Sequence, residues 1–284
     1  MRTDDRALRR SYAVSGQRGF TLIEMVIVIT MLGAMLALGG VFIVQPSEAY
    51  EDVARRARLV DVAETAMMRM TRETRMALPN SVRIGANGTR YALEFLATST
   101  GGRYRQQVDD TGAGDPLDRT LAADSFDVLG GLQGAVTPGM QLVIYNTGDA
   151  GLDAYNGDNV APITAVGAAS LSFDKGAAPA FPAHSPQARF YVVTGPVSFV
   201  CDAASGTLRR YAGYPIQAAQ PISDAALGGG GVLLAANVEN CGAATFAYND
   251  GGGSRNGLVT FRLTITEDGE RVSLLQQAHV LNIP

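Results

Sequence analysis

The sequence predicts an α+β fold in which one long amino-terminal helix packs on an antiparallel β-sheet domain. Three observations carry this prediction. An apolar run covers residues 25–44, a stretch without Gly or Pro covers residues 47–78, and short apolar runs separated by turn residues fill most of residues 80–284. Long periodic segments favour helices, whereas short runs between turns favour strands. One helix followed by many strands indicates an α+β layout.

The apolar run is long enough to cross a bilayer. From Met25 to Val44, Thr30 is the only clearly polar side chain. At about 1.5 Å per residue the run spans roughly 30 Å as a helix, the thickness of the hydrocarbon core. Arginines in the preceding leader favour a cytoplasmic amino terminus and place the rest of the chain outside; they are Arg2, Arg6, Arg9, Arg10 and Arg18.

The stretch after the apolar run predicts an amphipathic helix that ends at Pro79. Pro46 fits the first turn of this helix or a kink, because proline lacks a donor N–H. Apolar residues recur at steps of three and four and form one stripe suited to lie on a sheet. The stripe comprises Val53, Ala57, Val60, Ala63, Met67, Met70 and Ala77.

Beyond Pro79 the pattern predicts strands joined by turns. Asp268-Gly269 is a strong hairpin signal between the last two strands, and residues 202–206 form another turn. Gly195 separates two of the predicted strands. The predicted strands are 90–96, 140–145, 189–193, 196–201, 207–211, 245–248, 258–266 and 271–280.

The two cysteines, Cys201 and Cys241, suit a disulfide in an oxidising compartment outside the membrane. A bridge would close a loop of about 40 residues, worth roughly 4 kcal/mol in the chain-entropy model. Two buried thiols are the alternative. No histidine or second cysteine pair stands near enough in sequence to suggest zinc.

Two carboxylate-rich loops, residues 109–118 and 146–159, offer oxygen ligands of the kind calcium prefers, but neither has the EF-hand spacing. Solvated turns explain them better, so no metal or cofactor is expected. His184 and His279 have no recognisable catalytic partner, and no enzymatic activity is expected. The net charge of −4 and the lack of a basic patch argue against a nucleic-acid partner.

Residues 19–24, with the sequence GFTLIE, mark the start of the apolar run. An ordinary secretory signal carries its small residues after 7–15 apolar residues. Here Gly19 comes before the run, so a cut after it would leave the hydrophobic helix on the mature chain. Two alternatives remain open: a secretory signal cut near residues 37–39, and a simple anchor in which Glu24 complements the positive helix start.

The string Gly19, Phe20, Thr21, Leu22 and Glu24 resembles the leader junction of type IV pilins and of the pseudopilins of type II secretion. The resemblance implies that a prepilin peptidase cuts between Gly19 and Phe20 and methylates the new amino terminus. Glu24 becomes the fifth mature residue and serves assembly. The implied segments are a leader (1–19), a transmembrane or filament-core helix (20–45), an amphipathic helix (46–79) and a periplasmic β domain (80–284).

A second resemblance, to minor pilin-like proteins for biogenesis of the mannose-sensitive haemagglutinin (MSHA) pilus, covers most of the chain. It implies a single-pass inner-membrane protein that enters a pilus with other major and minor pilins through an assembly platform. A minor secretion pseudopilin and a ligand-binding tip adhesin are the alternatives. The residues that carry it are 59–66, 75–83, 93–96, 102–105, 125–129, 195–197 and 279–284.

Overall fold

A computed structural model describes residues 19–251 and 256–284, with the backbone alone for residues 40–49. The predicted leader, apart from Gly19, lies outside these residues. The chain divides into two compact units, residues 1–53 and residues 54–284, and each is described by itself.

One helix, α1, covers Leu22–Thr74. It ends five residues before Pro79, earlier than the sequence predicts. The cause is a competing partner, because the backbone beyond Thr74 pairs with a strand: Ala77 forms a bridge with Ala97, and the N–H of Leu78 donates to the carbonyl of Leu96 at 2.8 Å. The α conformation is in any case disfavoured immediately before a proline.

Twelve strands follow in the described part of the chain, and the predicted antiparallel β domain is confirmed. Seven overlap the eight predicted segments: five contain them with equal or longer bounds, β4 is shorter than predicted, and β10 is shifted by one residue. The other five were not predicted (β1, β3, β5, β6 and β9). The strands are β1 Arg83–Asn87, β2 Arg90–Tyr104, β3 Ala123–Leu129, β4 Gln141–Val143, β5 Val160–Val166, β6 Ser170–Asp174, β7 Arg189–Asp202, β8 Thr207–Ala212, β9 Val232–Ala235, β10 Phe246–Asn249, β11 Asn256–Glu267 and β12 Glu270–Leu281.

Strand pairing closes a ring at one end of the domain. The order β2-β3-β6-β5-β4-β7 runs through antiparallel neighbours, and β2 also pairs with β7. A ring of strands has no free edge, so each strand in it has a neighbour on both sides. Its interior is filled by aromatic side chains whose rings meet mostly edge to face or tilted, among them Tyr104, Phe126, Phe173, Phe181 and Phe190.

The two strands predicted on either side of Gly195 are one strand, β7. Gly195 has φ +142°, which a side chain would oppose, so it bends the strand without ending it. Pro196 follows between the part of β7 that pairs with β4 and the part that pairs with β8. Its missing N–H therefore falls between the β4 ladder, which ends at Val193, and the β8 ladder, which begins at Val197.

The carboxy-terminal half of α1 packs on the sheets as predicted. Leu59, Ala63, Met67 and Met70 are at most 4% exposed and share one core with side chains of β2, β7, β8, β11 and β12. The predicted stripe starts too early, because Val53 and Ala57 are exposed. Burial begins at Leu59, one turn after Arg55 and Arg56, which pair with Asp268 and Glu270.

The last three strands form a separate sheet in the order β10-β11-β12. The predicted turn between β11 and β12 is confirmed: Asp268 and Gly269 both have positive φ, as a type I′ turn requires. The bridge between Cys201 and Cys241 is present, with Cα atoms 5.3 Å apart, and ties the end of β7 to the segment that precedes this sheet.

A buried ion pair fixes the first two strands. Arg83 Nε donates to Glu94 Oε2 at 2.6 Å, and the Glu94 side chain is fully buried. Tyr214 donates to the other carboxylate oxygen at 2.9 Å. The Arg83 guanidinium also lies 3.5 Å from the centre of the Tyr155 ring. Burial raises the pKa of Glu94, and Arg83 offsets part of that rise.

We expect Arg83→Met to destabilise the fold by about 3–5 kcal/mol at neutral pH, because it leaves the Glu94 charge buried without a counter-charge. Removing the arginine raises the folded-state pKa of Glu94 further. Stability is then fully retained below the unfolded-state pKa, about 4.3, and is lost as pH rises through the folded-state value. Urea unfolding between pH 4 and 8 measures this slope. The same substitution in a Glu94→Gln background should show no such slope; an equal slope there would assign the effect to other groups.

Candidate processing and assembly site

Gly19 and Phe20 lie at the described start of the chain, ahead of α1. The Phe20 ring is 77% exposed. A Cβ added to Gly19 would meet nothing within 4 Å, and the backbone there does not have positive φ. Neither space nor conformation in the described structure therefore requires glycine at this position.

Thr21 caps the helix, a role that the sequence analysis did not assign. Its hydroxyl accepts a hydrogen bond from the N–H of Glu24 at 3.3 Å, and its carbonyl accepts from the N–H of Met25 at 3.2 Å. A threonine followed three residues later by glutamate is the capping-box signature, which satisfies free donors at a helix start. That spacing in the sequence is the signal that would have revealed it.

Glu24 lies in the first turn of α1, where a negative charge complements the helix dipole. Its side chain is exposed. Among the described residues its carboxylate has no hydrogen-bond or ion-pair partner, since only its backbone N–H is engaged. The carboxylate is thus available to a group outside this chain.

The helix that follows is apolar on all sides. Leu22–Gly39 has a mean hydropathy of 2.3, none of it is buried within the protein, and its length and composition suffice to cross a membrane. Leu36 is 75% exposed and Met31 65% exposed. Thr30 adds no unpaired polar group, because its hydroxyl donates to the carbonyls of Val26 and Ile27 at 3.0 and 2.9 Å. Such a surface needs lipid or other apolar helices to cover it.

The first carboxylate-rich loop uses its oxygens internally. Asp109 accepts hydrogen bonds from Thr111 and Ala113, which lower its pKa, and Asp118 accepts two from Thr120. The Asp115 carboxylate accepts a bond from the Ser125 hydroxyl. The bonds to Thr111, Ala113 and Thr120 are local turn bonds, and the bond from Ser125 joins the loop to β3.

The second carboxylate-rich loop fixes the segment that follows α1, at Pro79 and Asn80. Asn146 is 2% exposed; its amide donates to the carbonyl of Pro79 at 2.7 Å, and its side-chain oxygen accepts from the N–H of Ala154 at 2.8 Å. Asn80 donates to the backbone carbonyl of Asn146 at 2.8 Å. Asn146, one of the residues that suggested oxygen ligands, therefore has a structural role next to Pro79.

The two histidines are not brought together. His184 stacks on Tyr104 with Nδ1 3.4 Å from the hydroxyl, and burial lowers its pKa. His279 lies on the exposed face of β12. Within residues 19–251 and 256–284, no group of three or more His, Cys, Asp or Glu side chains is placed to hold a metal ion.

A family model described as the prokaryotic N-terminal methylation motif matches residues 14–40. The match includes Gly19, Phe20, Thr21 and Glu24 and supports a type IV pilin-like or pseudopilin-like protein. The motif implies processing by a prepilin peptidase and assembly with other pilins, and with the apolar helix it fits a membrane-anchored protein. No curated protein and no solved structure is significantly similar to the chain.

We expect Thr21→Val to weaken the helix start by about 1 kcal/mol, the usual cost of losing a capping oxygen. The amide of Glu24 should then exchange its hydrogen about fivefold faster, measured by NMR on the protein in detergent micelles. Thr21→Ser keeps the oxygen and should exchange at the wild-type rate. Equal exchange in all three proteins would contradict a capping role for Thr21.

Proposed function

We propose that the chain is the membrane-embedded precursor of a minor pilin or pseudopilin, cut between Gly19 and Phe20, and that it acts as a structural and assembly subunit without catalytic activity of its own. One arrangement in the described part of the chain carries this proposal. Gly19, which has no neighbouring atoms where a side chain would lie, precedes an exposed apolar helix, and the carboxylate of Glu24 in the first turn of that helix has no partner there. The methylation-motif match over the same residues supports it.

Gly19 supports the cleavage step because neither a close contact nor a positive φ among the described residues requires a glycine there. Recognition by a peptidase that accepts only a small residue before the cut is a sufficient reason. The exposed position of Phe20 is compatible with access to the bond and with methylation of the new amine. The enzyme is expected to leave α1 intact, because the cut falls before the Thr21 cap.

The apolar helix supports assembly. In the precursor, lipid covers Leu22–Gly39; in a filament, the helices of other subunits replace lipid around the same surface. Because lipid tails are as apolar as the side chains, this exchange needs a further specific contact. Cutting after Gly19 creates a charged amine at Phe20, and Glu24 of one subunit can pair with the amine of another. At an effective dielectric near 20, two such charges 4 Å apart attract by about 4 kcal/mol.

At a finer level we propose an MSHA-type pilus, with this chain as a minor pilin of the MshO type. The carboxy-terminal domain then faces the periplasm, where the Cys201–Cys241 disulfide persists. The presence of Glu24 favours a subunit that stacks beneath another pilin over one that only caps the fibre. A minor pseudopilin of type II secretion uses the same helix contacts, and a tip adhesin would instead be identified by a ligand of the β domain.

We expect Gly19→Val to block maturation, because a branched side chain replaces the small residue before the cut. Mass spectrometry of the membrane fraction should show a wild-type chain that begins at Phe20 and carries one methyl group, and an uncut variant. Gly33→Val is the matched control, since Gly33 also faces open space and should leave cleavage unchanged. A mature wild-type chain that begins near Gly40 would identify an ordinary secretory signal instead.

We expect Glu24→Ala and Glu24→Gln to be inserted and cleaved normally but to enter pili more than tenfold less, because the amine of the neighbouring subunit loses its counter-charge. Quantitative immunoblotting of sheared pili measures incorporation. The glutamine variant keeps the hydrogen-bonding capacity of the capping box and isolates the charge. Normal incorporation of the glutamine variant would show that the charge is dispensable and that α1 serves as an anchor.

A further inference from the structure

Two arginines lie directly opposite each other on the two longest strands. The register of β2 with β7 pairs Arg103 with Arg189. Directly opposed side chains of an antiparallel pair leave the same face of the sheet, with Cβ atoms about 4.5–5.5 Å apart. Like charges in this position destabilise a sheet, so the pair calls for an explanation outside folding.

Neither arginine has a carboxylate partner among the described residues. The contrast with nearby arginines is direct. Arg105, two residues further along, pairs with Asp127 at 2.9 Å, and Arg90, at the other end of the same strand, pairs with Asp224 at 2.7 Å. Arg103 is exposed, and Arg189 is partly buried beside the hydroxyl of Tyr191.

A cavity of about 300 Å³ opens at this pair. It is lined by Gly101, Gly102, Arg103, Arg189, Phe190 and Tyr191. A Cβ on Gly101 would lie 3.1 Å from the Tyr191 ring, so the glycine lets that ring lie close to the backbone. The Tyr191 hydroxyl donates to the carbonyl of Ile283 at 3.1 Å, which fixes the ring at one wall of the cavity.

Two guanidinium groups on one face match an oxyanion. Each presents a planar fork of N–H donors that binds phosphate or carboxylate oxygens in pairs. Their two positive charges balance the two negative charges of a phosphate monoester, whereas a single carboxylate would leave one guanidinium unpaired. The cavity is large enough for a phosphate group and the first atoms of its substituent.

We propose that Arg103 and Arg189 form a binding site for a phosphate monoester group, carried by a soluble ester or by a lipid headgroup. The site requires neither cleavage at Gly19 nor assembly through Glu24, so it stands or falls apart from the proposed function. A bound dianion would relieve the repulsion between the two arginines. The pair therefore lowers the stability of the free protein and raises its affinity for the anion.

The test uses the full-length protein in a neutral detergent. Calorimetric titration with inorganic phosphate, at an ionic strength held constant with chloride, should show one saturable site. Arg103→Gln and Arg189→Gln should each weaken binding at least tenfold, while their thermal midpoints stay equal to or above that of the wild type. Arg262→Gln is the matched control, because Arg262 is also an exposed strand arginine, lies on β11, and has no ion pair within residues 19–251 and 256–284.

A second arm separates the sources of the group. The protein, reconstituted in zwitterionic nanodiscs, is mixed with vesicles that contain phosphatidic acid, which carries a phosphate monoester. Vesicle binding that needs both arginines, without binding of free phosphate, would support the site and assign the group to lipid. Absence of binding in both arms, or equal binding by the wild type and both arginine variants, would overturn the proposal. So would a loss of thermal stability in both variants, since the pair would then serve the fold.

Discussion

The pairing of β2 with β7 is the interaction on which the rest of the domain depends. Thirteen residue pairs join the two strands, from Arg90 with Asp202 to Arg103 with Arg189. One half of this ladder carries Leu93, Phe95 and Phe199 against α1, and the other half helps to close the aromatic-filled ring. The register shifts near Thr98 and the bend at Gly195 let the same two strands serve both cores.

Local patterns predicted the helix and the turns at residues 202–206 and 268–269. The processing residues that they single out stay a prediction. Each of these patterns is local: the apolar run, Asp268-Gly269 and the GFTLIE string. Their interpretation therefore does not depend on contacts with residues far away in the sequence. Non-local features were missed. Strand β5 contains Pro162, which is typical of a strand end or a loop in sequence. Its place in the ring depends on pairing with β4, about twenty residues earlier. The early end of α1 likewise depends on Ala97, a partner that spacing does not reveal.

At the candidate site, too, features set by neighbouring residues could be predicted, and features set by distant contacts could not. Gly19, Phe20 and Glu24 were singled out by their resemblance to a pilin leader junction, and their roles stay a prediction. The Thr21 cap could have been predicted from the sequence, since its partner is three residues away. Asn146 was read as part of an oxygen-rich loop because its partners, Pro79 and Asn80, are more than sixty residues distant. The opposition of Arg103 and Arg189 exists only through the sheet register. The amino-terminal segment of this protein can thus be predicted from sequence far better than the pairing of its strands.

The wide separation of β2 and β7 along the chain has a kinetic consequence. The pair nearest in sequence joins Arg103 to Arg189, and the furthest joins Arg90 to Asp202. The ladder therefore cannot start before residue 189 is available, and it is complete only when residue 202 is available. Contacts of such long range fold slowly, because the entropy of closing the loop is lost before the ladder forms. When the chain emerges from its amino terminus, α1 therefore appears first. The apolar side chains of β2 remain unpaired until β7 has emerged. During that interval the nascent domain is open to aggregation, and the closing of the ring ends this vulnerable phase.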